Sequence, residues 1–239
     1  MKVGIAQTRP ITADIRRNIE QHKTLIAQAA ASGADILIFP ELSLTGYEPS
    51  LAQTLAVYPD DKRLDTFQKI SDAHRLIIGA GIPTQHGEDI CISMVLFQPG
   101  KPRQLYSKQY LHADEEPFFV SGQHGHNRIG EDIALAICYE ISVPQHAEKA
   151  FAGGAKIYIA SVAKFMHGID KALVRLAEIS RNYSMTVMMS NSIGQADGYE
   201  CAGRSSIWNN KGELLGQLDG FREGILILDT DTGEVIKTY

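Results

Sequence analysis

Short, nearly unbroken apolar runs alternate along this chain with stretches whose apolar residues recur every three or four positions. Runs of the first kind read as buried strands and stretches of the second kind as helices showing one face to a core. Residues 2–7 form the first strand. Residues 14–31 follow as a helix carrying Ile15, Ile19, Ile26 and Ala30 on one side, and Gly33 stops it. A buried strand at 36–39, a short helix at 65–74 and a strand at 76–81 come next, and 91–98 with 104–107 flank Pro99-Gly100-Lys101-Pro102 as a hairpin. The second half repeats the alternation, with strands at 133–137, 156–161 and 186–191 and helices at 144–152 and 170–183. Pro144 suits a first helical turn. Strands at 205–208 and 213–218, joined through Asn209-Asn210-Lys211-Gly212, precede a last one at 224–229. Strand–helix alternation of this kind predicts an α/β sandwich.

Length and composition narrow the class. The 239 residues, 44% hydrophobic, contain no Pro/Gly/Ser-rich linker, so residues 1–239 read as one domain. A chain this long buries roughly 70–75% of its unfolded surface and holds a core without staples. Its three cysteines, Cys91, Cys138 and Cys201, are odd in number and form no C-x-x-C pair. They fit reduced thiols in a cytoplasmic setting better than a secreted disulfide framework or a zinc ribbon. The N-terminus becomes polar too early for a signal peptide, and no run approaches the roughly 20 apolar residues of a membrane span. A net charge of −5 with no basic cluster argues against nucleic acid and membrane surfaces as partners. Small molecules and further copies of the chain remain.

Three reactive residues sit at the carboxyl ends of predicted strands, where loops of an α/β sheet converge on a crevice. Glu41 follows 36–39 through Pro40, Lys108 closes 104–107, and Cys138 closes 133–137. Singly, each has a bland reading, as a surface carboxylate, a snorkelling lysine or an inert core thiol. Together they meet the needs of acyl transfer through a covalent intermediate. A free thiol, with a pKa near 8.5, needs a base or a cation to become a nucleophile, and Glu41 is the candidate base. The tetrahedral oxyanion needs donors in a dry pocket, which Lys108 and the N–H of Tyr139 can supply.

The strings Phe39-Pro40-Glu41-Leu42-Ser43-Leu44-Thr45-Gly46-Tyr47, Tyr106-Ser107-Lys108-Gln109-Tyr110-Leu111 and Ile137-Cys138-Tyr139-Glu140 resemble, in order and spacing, the Glu-Lys-Cys signatures of the nitrilase superfamily of carbon–nitrogen hydrolases. Weaker marks, Gly33-Ala34-Asp35, Asn191, Gly194 and residues 203–206, extend the likeness over nearly the whole chain. The resemblance implies a four-layer α-β-β-α sandwich, a homodimer formed through its faces, and hydrolysis of non-peptide C–N bonds with no metal or organic cofactor. It also implies an auxiliary glutamate after the lysine. Glu115 fits the family spacing Glu115-x-x-x-Phe119-x-x-Gly122 better than Glu116, although Asp114-Glu115-Glu116 also reads as a solvated acidic turn. Where the family commonly has Arg-Phe-Pro-Glu, this chain has Ser142-Val143-Pro144-Gln145, which bears on substrate class. Tyr139, directly after the nucleophile, is common in amide-cleaving branches, whereas nitrile-cleaving ones commonly have Trp there. The resemblance therefore points to a small amide (an ω-amide, aliphatic amide or N-carbamoyl compound), with Tyr139 beside the substrate. Met166 and His167 are candidates for the pocket wall.

Rival readings are a metal site at His112, Asp114, His124 and His126, whose spacing fits no zinc motif, and a Cys–His protease pairing Cys138 with a histidine such as His146. Nitrile hydrolysis by the same three residues, a catalytically silent binding protein on the same fold, and ammonia transfer to a separate chain complete the alternatives.

Overall fold

The computed structural model describes residues 1–122 and 127–239. The first half supplies β1 (Lys2–Gln7), α1 (Ile15–Ala31), β2 (Ile36–Ile38), α2 (Ala52–Leu55), α3 (Asp65–His74), β3 (Ile77–His86), β4 (Asp89–Phe97) and β5 (Gln104–Ser107). β6 (Arg128–Ile129), β7 (Ile133–Ile137), α4 (Pro144–Ala152), β8 (Ile157–Val162), α5 (Ile169–Tyr183) and β9 (Thr186–Asn191) follow. The chain ends with β10 (Ile193–Ala196), β11 (Tyr199–Ala202), β12 (Ser206–Trp208), β13 (Leu214–Gln217), β14 (Gly224–Asp229) and β15 (Val235–Thr238).

Among the described residues these strands form a seven-stranded sheet in the order β15-β14-β1-β2-β3-β4-β5, a six-stranded sheet β13-β12-β9-β8-β7-β6, and the hairpin β10-β11. In each large sheet the central trio is parallel, β1-β2-β3 and β7-β8-β9, and antiparallel strands extend the edges. Side-chain alternation sorts the residues of the first sheet into two cores. Val3, Ile5, Ile36, Ile38, Met94 and Leu96 face the second sheet, while Ala6, Leu37, Phe39, Val95 and Phe97 face α1 and α3. The second sheet is buried on both faces, against the first sheet and against α4 and α5, so the layers run α-β-β-α as expected. Both strand sets are therefore apolar along most of their length, which is why their runs were legible.

Several boundaries differ from those read in the sequence. The strand expected at 76–81 continues to His86 through Pro83, whose carbonyl accepts from Val57 N at 3.1 Å. The nitrogen of Pro83 thus faces the side beyond the end of β2, where β4 needs no donor from it. The strands read at 156–161, 205–208 and 213–218 are observed as Ile157–Val162, Ser206–Trp208 and Leu214–Gln217, and the helix read at 14–31 starts one residue later because Asp14 caps it, accepting from Arg17 N at 3.0 Å. No helix among the described residues is long and apolar enough to cross a membrane.

Candidate active site

Opposing strand ends are brought together by bonds between the sheets. Ser161 Oγ at the end of β8 donates to Phe39 O just past β2 at 2.8 Å, and Ser190 Oγ of β9 donates to Ala6 O of β1 at 2.6 Å. The carboxyl ends of the two parallel trios therefore coincide. Glu41 descends from the first sheet and Cys138 rises from the second.

Glu41 sits in a turn braced on both sides. Leu44 N donates to Gly81 O at 3.0 Å, and a Cβ on Gly81 would lie 2.5 Å from both Leu42 N and Pro40 O, so only glycine lets β3 pass under the turn. From outside, Asn18 Nδ2 donates to Leu44 O at 3.0 Å, and His22 Nε2 meets Ser43 Oγ at 2.9 Å while its ring stacks on Phe39. Burial holds His22 down at about 3, so the bracing imidazole is neutral.

Lys108 is wholly buried and donates from Nζ to Glu41 Oε1 at 2.7 Å and to Glu115 Oε1 at 2.6 Å. Glu115 Oε1 also accepts from the Tyr47 hydroxyl at 2.9 Å, and Oε2 accepts from His112 N at 2.8 Å. Glu115, not the exposed Glu116, is thus the carboxylate that engages Lys108, and the solvated-turn reading of residue 115 is corrected. The backbone of Lys108 is fixed by Gly122 N, which donates to Lys108 O at 2.7 Å. A Cβ at Gly122 would lie 2.4 Å from Ser107 Cβ, which accounts for the glycine in the spacing noted above. Burial lowers the Lys108 pKa, but Glu41, Cys138 and Glu115 outweigh it and hold the ammonium above its ordinary value. An ammonium has three donors, and two are committed here. Burial pushes the Glu41 carboxyl up, with Lys108 and the Cys138 thiol acting against it, and Glu41 Oε2 has no hydrogen-bond partner among the described residues.

Cys138 begins a 3-10 turn, Cys138–Ser142, with φ of +40°. A non-glycine residue held in this region costs about 1–3 kcal/mol, a strain familiar where a nucleophile is presented on a sharp turn. Burial, then Glu41, push its thiol up to about 11, with Lys164 and Lys108 acting against them. The turn is tied by Glu140, which is buried: its Oε2 accepts from Ile137 N at 2.7 Å and from the Tyr106 hydroxyl at 2.6 Å, and its Oε1 accepts from Gln109 N at 2.7 Å. One carboxylate thus holds both the residue before the nucleophile and the residue after Lys108. Sequence reading saw Glu140 only as part of a motif. Its place three residues after Ile137, bonding back to that backbone N–H as in a capping box, was the available signal.

A cavity of about 320 Å³ opens over Cys138 and is lined by Tyr47, His112, Tyr139, Lys164, Phe165 and His167 among others. A larger groove of about 850 Å³ shares His112, Tyr139 and Lys164 with it but does not reach the thiol. Only the smaller of the two reaches the thiol. Tyr139 lines it as expected, and its N–H lies in the first turn of the 3-10 segment, where intrahelical acceptors are lacking. His167 lines the wall, whereas Met166 points outward, 60% exposed. The Cys–His rival is corrected: His146 is pinned between the Tyr106 hydroxyl at 3.1 Å and the Tyr158 hydroxyl at 2.8 Å. His124 and His126 lie outside the described residues. His112 and Asp114 pair with each other at 3.3 Å in exposed positions, and no group of three or more His, Cys, Asp or Glu among the described residues is arranged to hold a metal.

A buried carboxylate, an ammonium and a strained thiol thus converge from the carboxyl ends of two stacked sheets. The chain belongs to the carbon–nitrogen hydrolase family, whose model matches residues 2–239, and so to the nitrilase superfamily. It is 25% identical over 242 residues to a glutamine-dependent NAD(+) synthetase of Acinetobacter baylyi, a match covering 96% of this chain and 44% of that protein. The chain thus spans about half the length of the synthetases it matches. A nitrilase of Pyrococcus abyssi is 23% identical over 97% of this chain and 90% of its own length. An amidase from Nesterenkonia sp. AN1, seen with the acetamide moiety of fluoroacetamide on its active-site cysteine, superposes with a TM-score of 0.85 at 22% identity, covering 96% of this chain and 90% of that one.

Proposed function

We propose that this protein hydrolyses a small non-peptide amide through a thioester on Cys138. The observation that carries the reading is the single buried unit made by Glu41, Lys108 and Glu115, set beside the thiol at the floor of a cavity. Glu41 takes the thiol proton as Sγ attacks the carbonyl carbon. The oxyanion is met by the third N–H of Lys108 and by the N–H of Tyr139. As the C–N bond breaks, Glu41 returns the proton to the leaving nitrogen, so ammonia or an amine departs and a thioester remains. Glu41 then takes a proton from water, whose oxygen attacks the thioester, and the acid leaves as the thiol is restored. Glu115 fixes Lys108 and, through it, Glu41. The elevated pKa of Glu41 suits a group that must accept and return a proton, since a carboxylate near its ordinary value is a weak base at neutral pH.

A nitrile would begin with the same attack, but it develops no oxyanion at the first step, so the two-donor arrangement favours an amide. The synthetase relatives support a second reading of the same chemistry, in which glutamine is the amide and ammonia passes to a separate chain. Ammonia release across aliphatic amides, ω-amides, N-carbamoyl compounds and their matched nitriles tests the proposal. Amides should exceed the matched nitriles in kcat/KM, and Cys138→Ala should be folded and inactive. A tenfold nitrile preference, or turnover by Cys138→Ala within tenfold of the parent, would overturn it.

A further inference from the structure

Resting on the amide reading, the structure also bears on what the amide carries at its other end. Lys164 follows β8, and its backbone is clamped at both ends of the residue. Its N–H donates to Asn191 Oδ1 at 2.7 Å, and its carbonyl accepts from Asn191 Nδ2 at 3.2 Å and from Ala202 N at 2.9 Å. Asn191, fully buried at the end of β9, thereby gains a role that the sequence left open. Among the described residues Lys164 is the only lysine or arginine lining the cavity over Cys138, and it has no ion-pair partner. The buried carboxylates beside the thiol are already engaged, Glu41 with Lys108 and Glu115 with Lys108, Tyr47 and His112 N, while the two exposed ones on the cavity rim, Asp114 and Asp197, make no ion pair with Lys164.

The wall beside Lys164 is aromatic. Phe165 packs edge-on to Tyr47 at 6.0 Å between ring centroids and against Tyr199 at 5.3 Å, an apolar wall for the methylenes of a short substrate. We propose that Lys164 is the specificity-determining residue of this site and anchors a carboxylate on the substrate, so that the substrate is a small amide bearing a carboxylate. A half-buried lysine that makes no ion pair among the described residues can give charge-assisted hydrogen bonds to an incoming anion. The same charge is the leading one opposing the rise of the Cys138 thiol, which places its field at the reacting sulfur. A second role in sustaining the thiolate would act on every substrate alike, and the test separates it.

Specificity constants should be measured for succinamate, glutaramate and adipamate against butyramide, valeramide and hexanamide, with N-carbamoyl-β-alanine as the arm that puts the carboxylate on the amine side. For the parent, at least one carboxylated amide should exceed its neutral counterpart. In Lys164→Gln the ratio of carboxylated to neutral kcat/KM should fall roughly 10- to 100-fold, chiefly through KM, the size of a lost hydrogen bond to a charged group. Lys164→Arg should restore part of it. Equal losses on both substrate sets, or a parent with no carboxylate preference, would overturn the proposal. If no amide is turned over at all, the amide reading fails, and glutaramate binding to Cys138→Ala still decides the Lys164 question by calorimetry. Weaker binding when Lys164→Gln is added sustains it, and equal binding rejects it.

Discussion

Replacing Glu140 by glutamine tests whether the nucleophile and Lys108 are held by one carboxylate. The side chain keeps its shape, but one acceptor oxygen becomes an amide NH₂. Each oxygen now accepts from a backbone N–H, Ile137 at 2.7 Å on one side and Gln109 at 2.7 Å on the other, so either orientation sets a donor against a donor. Facing Tyr106, the amide costs less on its own account, because a hydroxyl can rotate to accept, yet Ile137 N is then orphaned. Leaving one buried donor unsatisfied costs about 1–3 kcal/mol, and a chain of this size loses about 2–4 °C in Tm per kcal/mol. The larger effect falls on turnover. Displacing either the Cys138 turn or the segment after Lys108 by about 1 Å costs roughly a hundredfold in kcat. Burial raises the Glu140 pKa above its ordinary 4.5, so the folded state takes up the proton first on acidification. Stability of the parent relative to Glu140→Gln should therefore rise as pH falls through the window above 4.5. Thermal melts across pH, with kcat and KM on the best amide, measure all three. A variant that melts lower yet keeps kcat within threefold of the parent would refute the positioning argument and leave Glu140 as a core residue only.

Glu41→Gln should abolish turnover while making Cys138 easier to alkylate, because after burial the Glu41 charge is the next cause holding the thiol at about 11. The pH midpoint of iodoacetamide labelling should move down, and an unchanged midpoint would exclude contact between the two. Lys108→Ala should cost at least roughly a hundredfold in kcat as an oxyanion donor is lost, and about 3–5 kcal/mol of stability as two buried carboxylates lose their cation. A change confined to KM would make Lys108 a binding residue.

The parts of the fold legible in the sequence were those whose burial is symmetrical. β7, β9 and β14 are buried along nearly their whole length and were read at their observed bounds, as were the helices α3 and α4 from their one-sided apolar spacing. The elements missed were the single-turn helix α2, β6, the edge strand β15 and the hairpin β10-β11. β15 is half-exposed, with Lys237 facing out, so it carries no apolar run to find. The hairpin did carry a signal, Asp197-Gly198 between two short segments, which is a favoured two-residue turn. β3 was cut short because proline normally ends a strand, and only the bridge from Val57 shows that its nitrogen faces away from β4.

The site divides along a similar line. Glu41, Lys108 and Cys138 were legible because each stands just past the end of a strand readable from its own sequence, a local property. Glu140, Tyr47 and Lys164 were not, since each has a role only through partners far along the chain: Gln109, Glu115 and Asn191 respectively. Sequence marks which strand ends bear reactive groups but not which ends face each other, and that is settled by Ser161 on Phe39 O and Ser190 on Ala6 O, two hydroxyls buried between the sheets. An unpaired buried hydroxyl or carbonyl is costly, so these bonds favour one sliding position of one sheet over the other. The spacing between Glu41 and Cys138 is therefore a property of sheet stacking before it is a property of either loop.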